Sequence, residues 1–129
     1  NPLFKGGARI FGPRPRFYDF KLNKKVKSLA KNSALSTKIV GNSIKIVEDF
    51  SFENPKTKEY LKLLQAFGLE NKKSLLILPD LNDNIYLSGR NIQGVSIAVA
   101  DSLNKYKIIN NNVIFISEKS VEAIANSQN

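Results

Sequence analysis

Histidine and cysteine are both missing from the 129 residues. Without cysteine there is no disulfide, no thiolate metal site and no thiol nucleophile. A reducing compartment suits such a chain. Without histidine the chain loses the commonest general acid–base, the commonest metal ligand and every imidazole-dependent triad. Ser33, Ser36 and Ser117 therefore have no imidazole to activate them. Long apolar runs are scarce as well: none approaches the roughly 20 residues that a membrane-spanning helix needs. No signal-peptide pattern is present. Phosphate loops are missing too, because neither GxGxxG nor GxxxxGKS/T occurs and no strand precedes Gly6-Gly7. These absences leave no expected catalytic residue, metal site, cofactor, small-molecule substrate or membrane partner.

Acidic side chains are nearly absent from one stretch. Residues 5–38 carry ten Lys and Arg against a single acid, Asp19, for a net charge of +9. Residues 39–129 carry ten basic and ten acidic side chains, so the entire formal charge of +9 lies in the first third. A chain divided in this way reads as a basic arm that grips a polyanion, joined to an electrically ordinary globular domain. The expected division is an extended arm over 1–20 and an α/β domain over 21–129 that includes a basic helix at 21–38.

Within the arm, three glycines and two prolines between residues 5 and 20 rule out a helix or a central strand. Gly6, Gly7 and Gly12 let the backbone approach another surface closely. Pro13 and Pro15 keep Arg14 and Arg16 extended. Phe11, Phe17, Tyr18 and Phe20 alternate with guanidinium groups. Arginine meets phosphate as a planar fork, and aromatic rings stack on unpaired bases. Too little apolar surface is available for this stretch to fold alone, so it is expected to order on binding.

The helix at 21–38 places Leu22, Val26, Leu29, Ala30 and Ser33 on a narrow apolar arc. Lys21, Lys24, Lys25, Lys27 and Lys31 fall on the other side, as does Leu35, which breaks the pattern. A lysine-rich face can simply be solvated, but arm and helix together favour nucleic acid. The candidate RNA-binding residues are Lys5, Gly6, Gly7, Arg9, Phe11, Arg14, Arg16 and Tyr18 in the arm. Lys21, Asn23, Lys24, Lys25, Lys27 and Lys31 complete them.

Beyond the helix, Val40-Gly41-Asn42 reads as a stop and turn. An alternating strand follows over 43–47. Asn54 and Pro55 suit the N-cap and first position of a helix. Tyr60, Leu61, Leu64 and Phe67 form its apolar face, and Gly68 ends it. The continuous apolar run 74–78 reads as a strand buried on both faces. A short helix is expected over 81–91, with Ile85, Leu87 and Ser88 inward. A strand over 95–100 and a helix over 102–110 follow, the helix turning Leu103, Tyr106 and Ile109 inward. The last elements are a strand over 113–116 and a helix capped by Ser117, with Val121, Ile124 and Ala125 apolar and 126–129 fraying. Strands that alternate with helices, three of the four short and nearly uniformly apolar, predict a three-layer α/β domain. Its sheet is mostly parallel and four-stranded, with right-handed crossovers.

Asp49, Asp80 and Asp101 each lie just past a predicted strand, where an open parallel sheet forms its ligand crevice. Three carboxylates there would suit magnesium, which gives an alternative reading as a phosphoryl-transfer or receiver-like domain. Helix capping accounts for Asp80 and Asp101 more simply.

The blocks Gly-Gly-Ala-Arg-Ile-Phe-Gly-Pro-Arg-Pro-Arg at 6–16 and Lys-Leu-Asn-Lys-Lys-Val at 21–26 resemble the universal ribosomal protein L four family of the large subunit, bacterial type. Glu48-Asp49-Phe50, Pro55-Lys56-Thr57-Lys58, Leu78-Pro79, Leu87-Ser88-Gly89-Arg90-Asn91 and Val99-Ala100-Asp101-Ser102-Leu103-Asn104 agree with it. The resemblance implies a structural, non-enzymatic rRNA-binding protein in the cytoplasmic large ribosomal subunit. Its implied partners are large-subunit rRNA, such as 23S rRNA, and neighbouring ribosomal proteins. The implied role is support of assembly and of the nascent-chain tunnel region. Residues 5–20 correspond to the returning limb of the family's long basic loop. The family's first strand, first helix and loop tip would lie ahead of Asn1, so the resemblance assigns no tunnel-wall residue here. Phe17 departs from the acidic residue that often follows the last arginine of the block.

Overall fold

The computed structural model describes residues 1–126. The fraying expected over 126–129 therefore lies, past Asn126, outside the described residues. Five helices and four strands alternate: α1 (Lys24–Val40), β1 (Ile44–Val47), α2 (Thr57–Ala66), β2 (Ser74–Leu78), α3 (Asp83–Gly89), β3 (Val95–Val99), α4 (Lys105–Asn110), β4 (Val113–Ser117) and α5 (Glu118–Asn126). The four strands form one sheet in the order β1-β4-β2-β3, with every pair parallel. The α/β class and the parallel sheet are those the apolar runs predict. The strand order comes from pairing between distant segments, which no local pattern encodes.

Alternation along the strands sorts the core into two layers. Leu75, Ile77, Ala98, Ile114 and Ile116 point to one face, where Ala34 and Leu35 of α1, Ile108 of α4 and Ile124 of α5 cover them. Leu76, Leu78 and Phe115 point to the other, under Tyr60 and Leu64 of α2 and Ile85 of α3. The two central strands are buried on both faces, which is why β2 reads as an unbroken apolar run. Burial pushes the Tyr60 hydroxyl well above its ordinary pKa, so the ring stays neutral in the core.

Several boundaries differ from the pattern. The second helix begins at Thr57 with Lys56 as N-cap, not at Asn54-Pro55. Its end is as expected, with Gly68 in the left-handed region at φ +66°. Asn82 and Asn104, not Asp80 and Asp101, cap α3 and α4. The Asn82 Oδ1 accepts from the amides of Asn84 and Ile85, and the Asn104 Oδ1 accepts from that of Lys107. Moving the start of α4 to Lys105 changes which side chains face inward. Ile108 becomes the buried residue, while Tyr106 and Ile109 turn outward. In α3, Ile85 and Ser88 are buried as expected, and Gly89 joins them in place of Leu87, which is exposed. The Ser117 hydroxyl ends β4 and pairs with the Ser120 hydroxyl at 2.6 Å. Along α5, Ile124 is buried while Val121 and Ala125 are exposed.

The double acceptance by Asn82 makes a testable claim. Asn82→Ala removes a side-chain oxygen from two helix-start amides and is expected to destabilise the fold by about 1 kcal/mol. Urea unfolding should show a lower midpoint with an unchanged slope. An unchanged midpoint would mean that water satisfies those amides equally well.

Candidate nucleic-acid interface

The candidate residues lie on two connected pieces. Residues 1–23 contain no helix or strand, and within 1–20 only Gly12 is even partly covered. Two successive turns open the arm. The Phe4 amide donates to the Asn1 carbonyl at 3.2 Å and the Gly7 amide to the Phe4 carbonyl at 2.9 Å. Gly6 holds φ +77° in the second turn. A Cβ on Gly7 would stand 2.0 Å from the Asn1 carbonyl oxygen, so no side chain fits there. These two glycines serve the arm's own turns, a nearer cause than approach to an outside surface. Lys5, Arg9, Phe11, Arg14, Arg16 and Tyr18 all project into solvent. The Arg16 guanidinium lies 4.2 Å from the centre of the Tyr18 ring, a cation–π pair that presents both side chains as one unit. Phe17 is fully exposed at 100 %, with no packing partner to explain an apolar ring in that position.

The helix itself departs from the pattern. Lys21 and Leu22 precede it in extended chain, and Asn23 is its N-cap residue without a side-chain capping bond. Lys24, Lys25 and Lys27 are exposed. The expected apolar arc does not pack: Leu22, Val26 and Leu29 are exposed, Leu29 to 70 %. The residues that reach the core are instead Ala34 and Leu35, the latter on the side expected to be basic. Only the C-terminal half of α1 lies over the sheet, so the helix rotates to suit that half. The same rotation leaves Lys31 half-buried rather than on an open basic face. Lys38 is structural, since its ammonium donates to the Asn111 carbonyl at 2.6 Å and ties the helix end to the α4–β4 connection.

The three aspartates do not converge. Asp49 and Asp80 line a recess of about 550 Å³ at the carboxyl end of the sheet, together with Asp83 and Lys119. Asp101 is not part of it. The Lys119 ammonium lies 3.3 Å from Asp49 Oδ2, so a lysine already faces that carboxylate. Among the described residues no group of three His, Cys, Asp or Glu is placed to hold a metal ion. This overturns the three-carboxylate geometry that the phosphoryl-transfer alternative required.

Two residues escaped the sequence reading. Lys105 and Tyr106 open α4 on the same side of the sheet as α1, and Tyr106 is 69 % exposed. The available signal was Asn104, a favoured capping residue that fixes where α4 starts.

Residues 1–127 match the model of the family described as "Ribosomal protein L4/L1 family". The chain belongs to the ribosomal protein L4/L1 family. It is 51 % identical to the Phocaeicola vulgatus "Large ribosomal subunit protein uL4" over 126 residues, which covers 98 % of this chain and 61 % of the relative. The Flavobacterium psychrophilum protein of the same name is 52 % identical over 124 residues, 96 % of this chain and 59 % of that protein. The Amoebophilus asiaticus protein is 45 % identical over 129 residues, 100 % of this chain and 61 % of the relative. The chain thus spans about three-fifths of the length of the curated relatives it matches. Among the described residues no helix is long and apolar enough to cross a membrane.

Proposed function

We propose that this chain is a structural, non-enzymatic component of the large ribosomal subunit that binds large-subunit rRNA through its basic arm and α1. The observation that carries this reading is the confinement of the whole +9 charge to residues 5–38, most of them exposed. The relatives' name, "Large ribosomal subunit protein", supports the setting. Residues 1–20 act as the arm, and 21–129 form the domain that anchors it. Lys5, Arg9, Arg14, Arg16, Lys21, Lys24, Lys25, Lys27 and Lys31 meet phosphates. Phe11 and Tyr18 meet bases, Gly6 and Gly7 shape the arm, and Asn23 contacts the RNA where the arm enters α1. In the cytoplasmic subunit the chain also touches neighbouring ribosomal proteins. Its grip supports assembly and the nascent-chain tunnel region, the finer role that the resemblance implies.

Arginine and lysine divide the work. The stiff Arg14-Pro15-Arg16 segment presents planar forks with little ordering entropy left to lose, whereas Lys24 and Lys25 are flexible point charges. Arg14→Ala with Arg16→Ala is therefore expected to lower affinity for large-subunit rRNA more than for a scrambled RNA. Lys24→Ala with Lys25→Ala should weaken both about equally, by roughly 1 kcal/mol per contact. Filter binding of both double variants at one salt concentration decides this. If neither variant weakens binding, arm and helix are not the interface. A larger cognate preference in the lysine pair would make α1 the specific reader.

A further inference from the structure

We infer that a backbone phosphate of the bound RNA sits in the recess between α1 and the start of α4, held by Lys27 and Lys105 with Lys31 beside them. This inference rests on the RNA-binding reading above and extends it to α4, which lies outside the basic first third of the chain.

The recess holds about 320 Å³ and is lined by Lys27, Ser28, Lys31, Leu103, Asn104 and Lys105. Half of that lining is lysine and none of it is acidic. Leu103 is buried and supplies an apolar base to the recess. Bringing the Lys27 and Lys105 ammonium groups to one recess is unfavourable by itself, because like charges repel. Neither Lys27 nor Lys105 meets a carboxylate among the described residues, whose ion pairs are Lys56 with Glu59 and Lys119 with Asp49. Asp101, the acid on the β3–α4 connection, is exposed and does not line the recess. An anion entering from outside would offset the repulsion, and a phosphodiester has the right charge and bond-accepting oxygens for ammonium donors.

Placement favours a nucleic-acid phosphate over an isolated ion. Lys24, Lys27 and Lys31 follow one another at helical spacing of three and four residues, so a strand tracking along α1 is led into the recess. Tyr106 follows Lys105 directly and is exposed. A nucleotide whose phosphate enters the recess would carry its base toward an open ring suited to stacking.

Lys105 is the discriminating position, because it lies outside the basic third of the chain. The test uses the full 129-residue chain and a large-subunit rRNA transcript, titrated by filter binding at several salt concentrations. Lys105→Ala is expected to weaken binding roughly threefold to tenfold and to make the slope of log K against log salt shallower by about one unit. Lys105→Arg should restore both. Lys62→Ala, the same charge change on exposed α2 across the sheet, should alter neither. Combining Lys27→Ala with Lys105→Ala should cost less than the product of the two single losses, because both act on one phosphate. If Lys105→Ala behaves like Lys62→Ala while Arg14→Ala with Arg16→Ala still weakens binding, the recess is overturned and the arm reading stands. If the unmodified chain binds the transcript without salt dependence, both fall together.

Discussion

Raising the salt from 50 to 200 mM should weaken binding of this chain to large-subunit rRNA by roughly two and a half to four powers of ten. The expectation follows from counting phosphates. Ten cationic side chains lie within residues 5–38. One of them, Lys38, is committed to the Asn111 carbonyl. If about six to eight of the others meet phosphates, log K falls against log salt with a slope of about −4 to −7, because each contact releases condensed counterions. The arm suits this mode of binding. Its cations are exposed, so little desolvation is needed, and the pairing of Arg16 with Tyr18 keeps a guanidinium oriented beside a stacking ring. Filter binding across five or six salt concentrations gives the slope directly. A slope near zero would mean that phosphates do not drive association and that the exposed rings carry it alone.

Phe115→Ala should cost about 3–5 kcal/mol of folding stability. Phe115 is 1 % exposed on the strand that sits between β1 and β2. It lies beside Leu76 of β2 in the sheet and 4.9 Å from the Phe67 ring at the end of α2. Truncation removes a large apolar volume where the sheet backbone on both sides prevents collapse. A domain of this size has about 5–15 kcal/mol to lose, so a large share of its stability would go. Calorimetry should show the melting temperature lower by roughly 10–25 °C. The molecules that remain folded in the cold should still bind rRNA as tightly, because Phe115 faces the layer opposite α1. A loss below about 1 kcal/mol would show that Phe67 and its neighbours close the gap.

What the sequence made legible depends on how local each signal is. The central strand at 74–78 is visible because burial on both faces leaves only Ser74, at its start, polar. Charge segregation exposes the arm equally well, since it needs no knowledge of folding. The face of α1 was misread. Leu22, Val26 and Leu29 make a convincing arc, yet the contacts that orient the helix lie further along, at Ala34, Leu35 and Lys38. Those contacts are made with the sheet and with Asn111, which lies 73 residues beyond Lys38, so periodicity within the helix cannot reveal them. The orientation of α4 failed for a smaller reason. Asn104 is the cap, and starting the helix at 102 rotated Tyr106 inward in expectation while it points outward in fact. That one shift hid the residues beside the proposed phosphate seat. Among the candidate RNA contacts, Lys21 lies ahead of the helix rather than in it, and Lys31 is half-buried beside the start of α4 rather than on an open face.

The position of β4 has a kinetic consequence. In the sheet it lies between β1 and β2, which are made earlier and do not touch each other along an edge. During synthesis, therefore, β2 and β3 can join as a pair while β1 waits for the last strand. The same delay applies to α1, whose Lys38 finds the Asn111 carbonyl 73 residues later in the chain. Most closure entropy must be spent before these contacts form, which makes the docking of α1 a late and slow event. Until then the basic helix is tethered but not seated. Under the proposed RNA-binding role, RNA that met the arm early would find a segment still free to turn, its final orientation fixed only when β4 slots into the sheet.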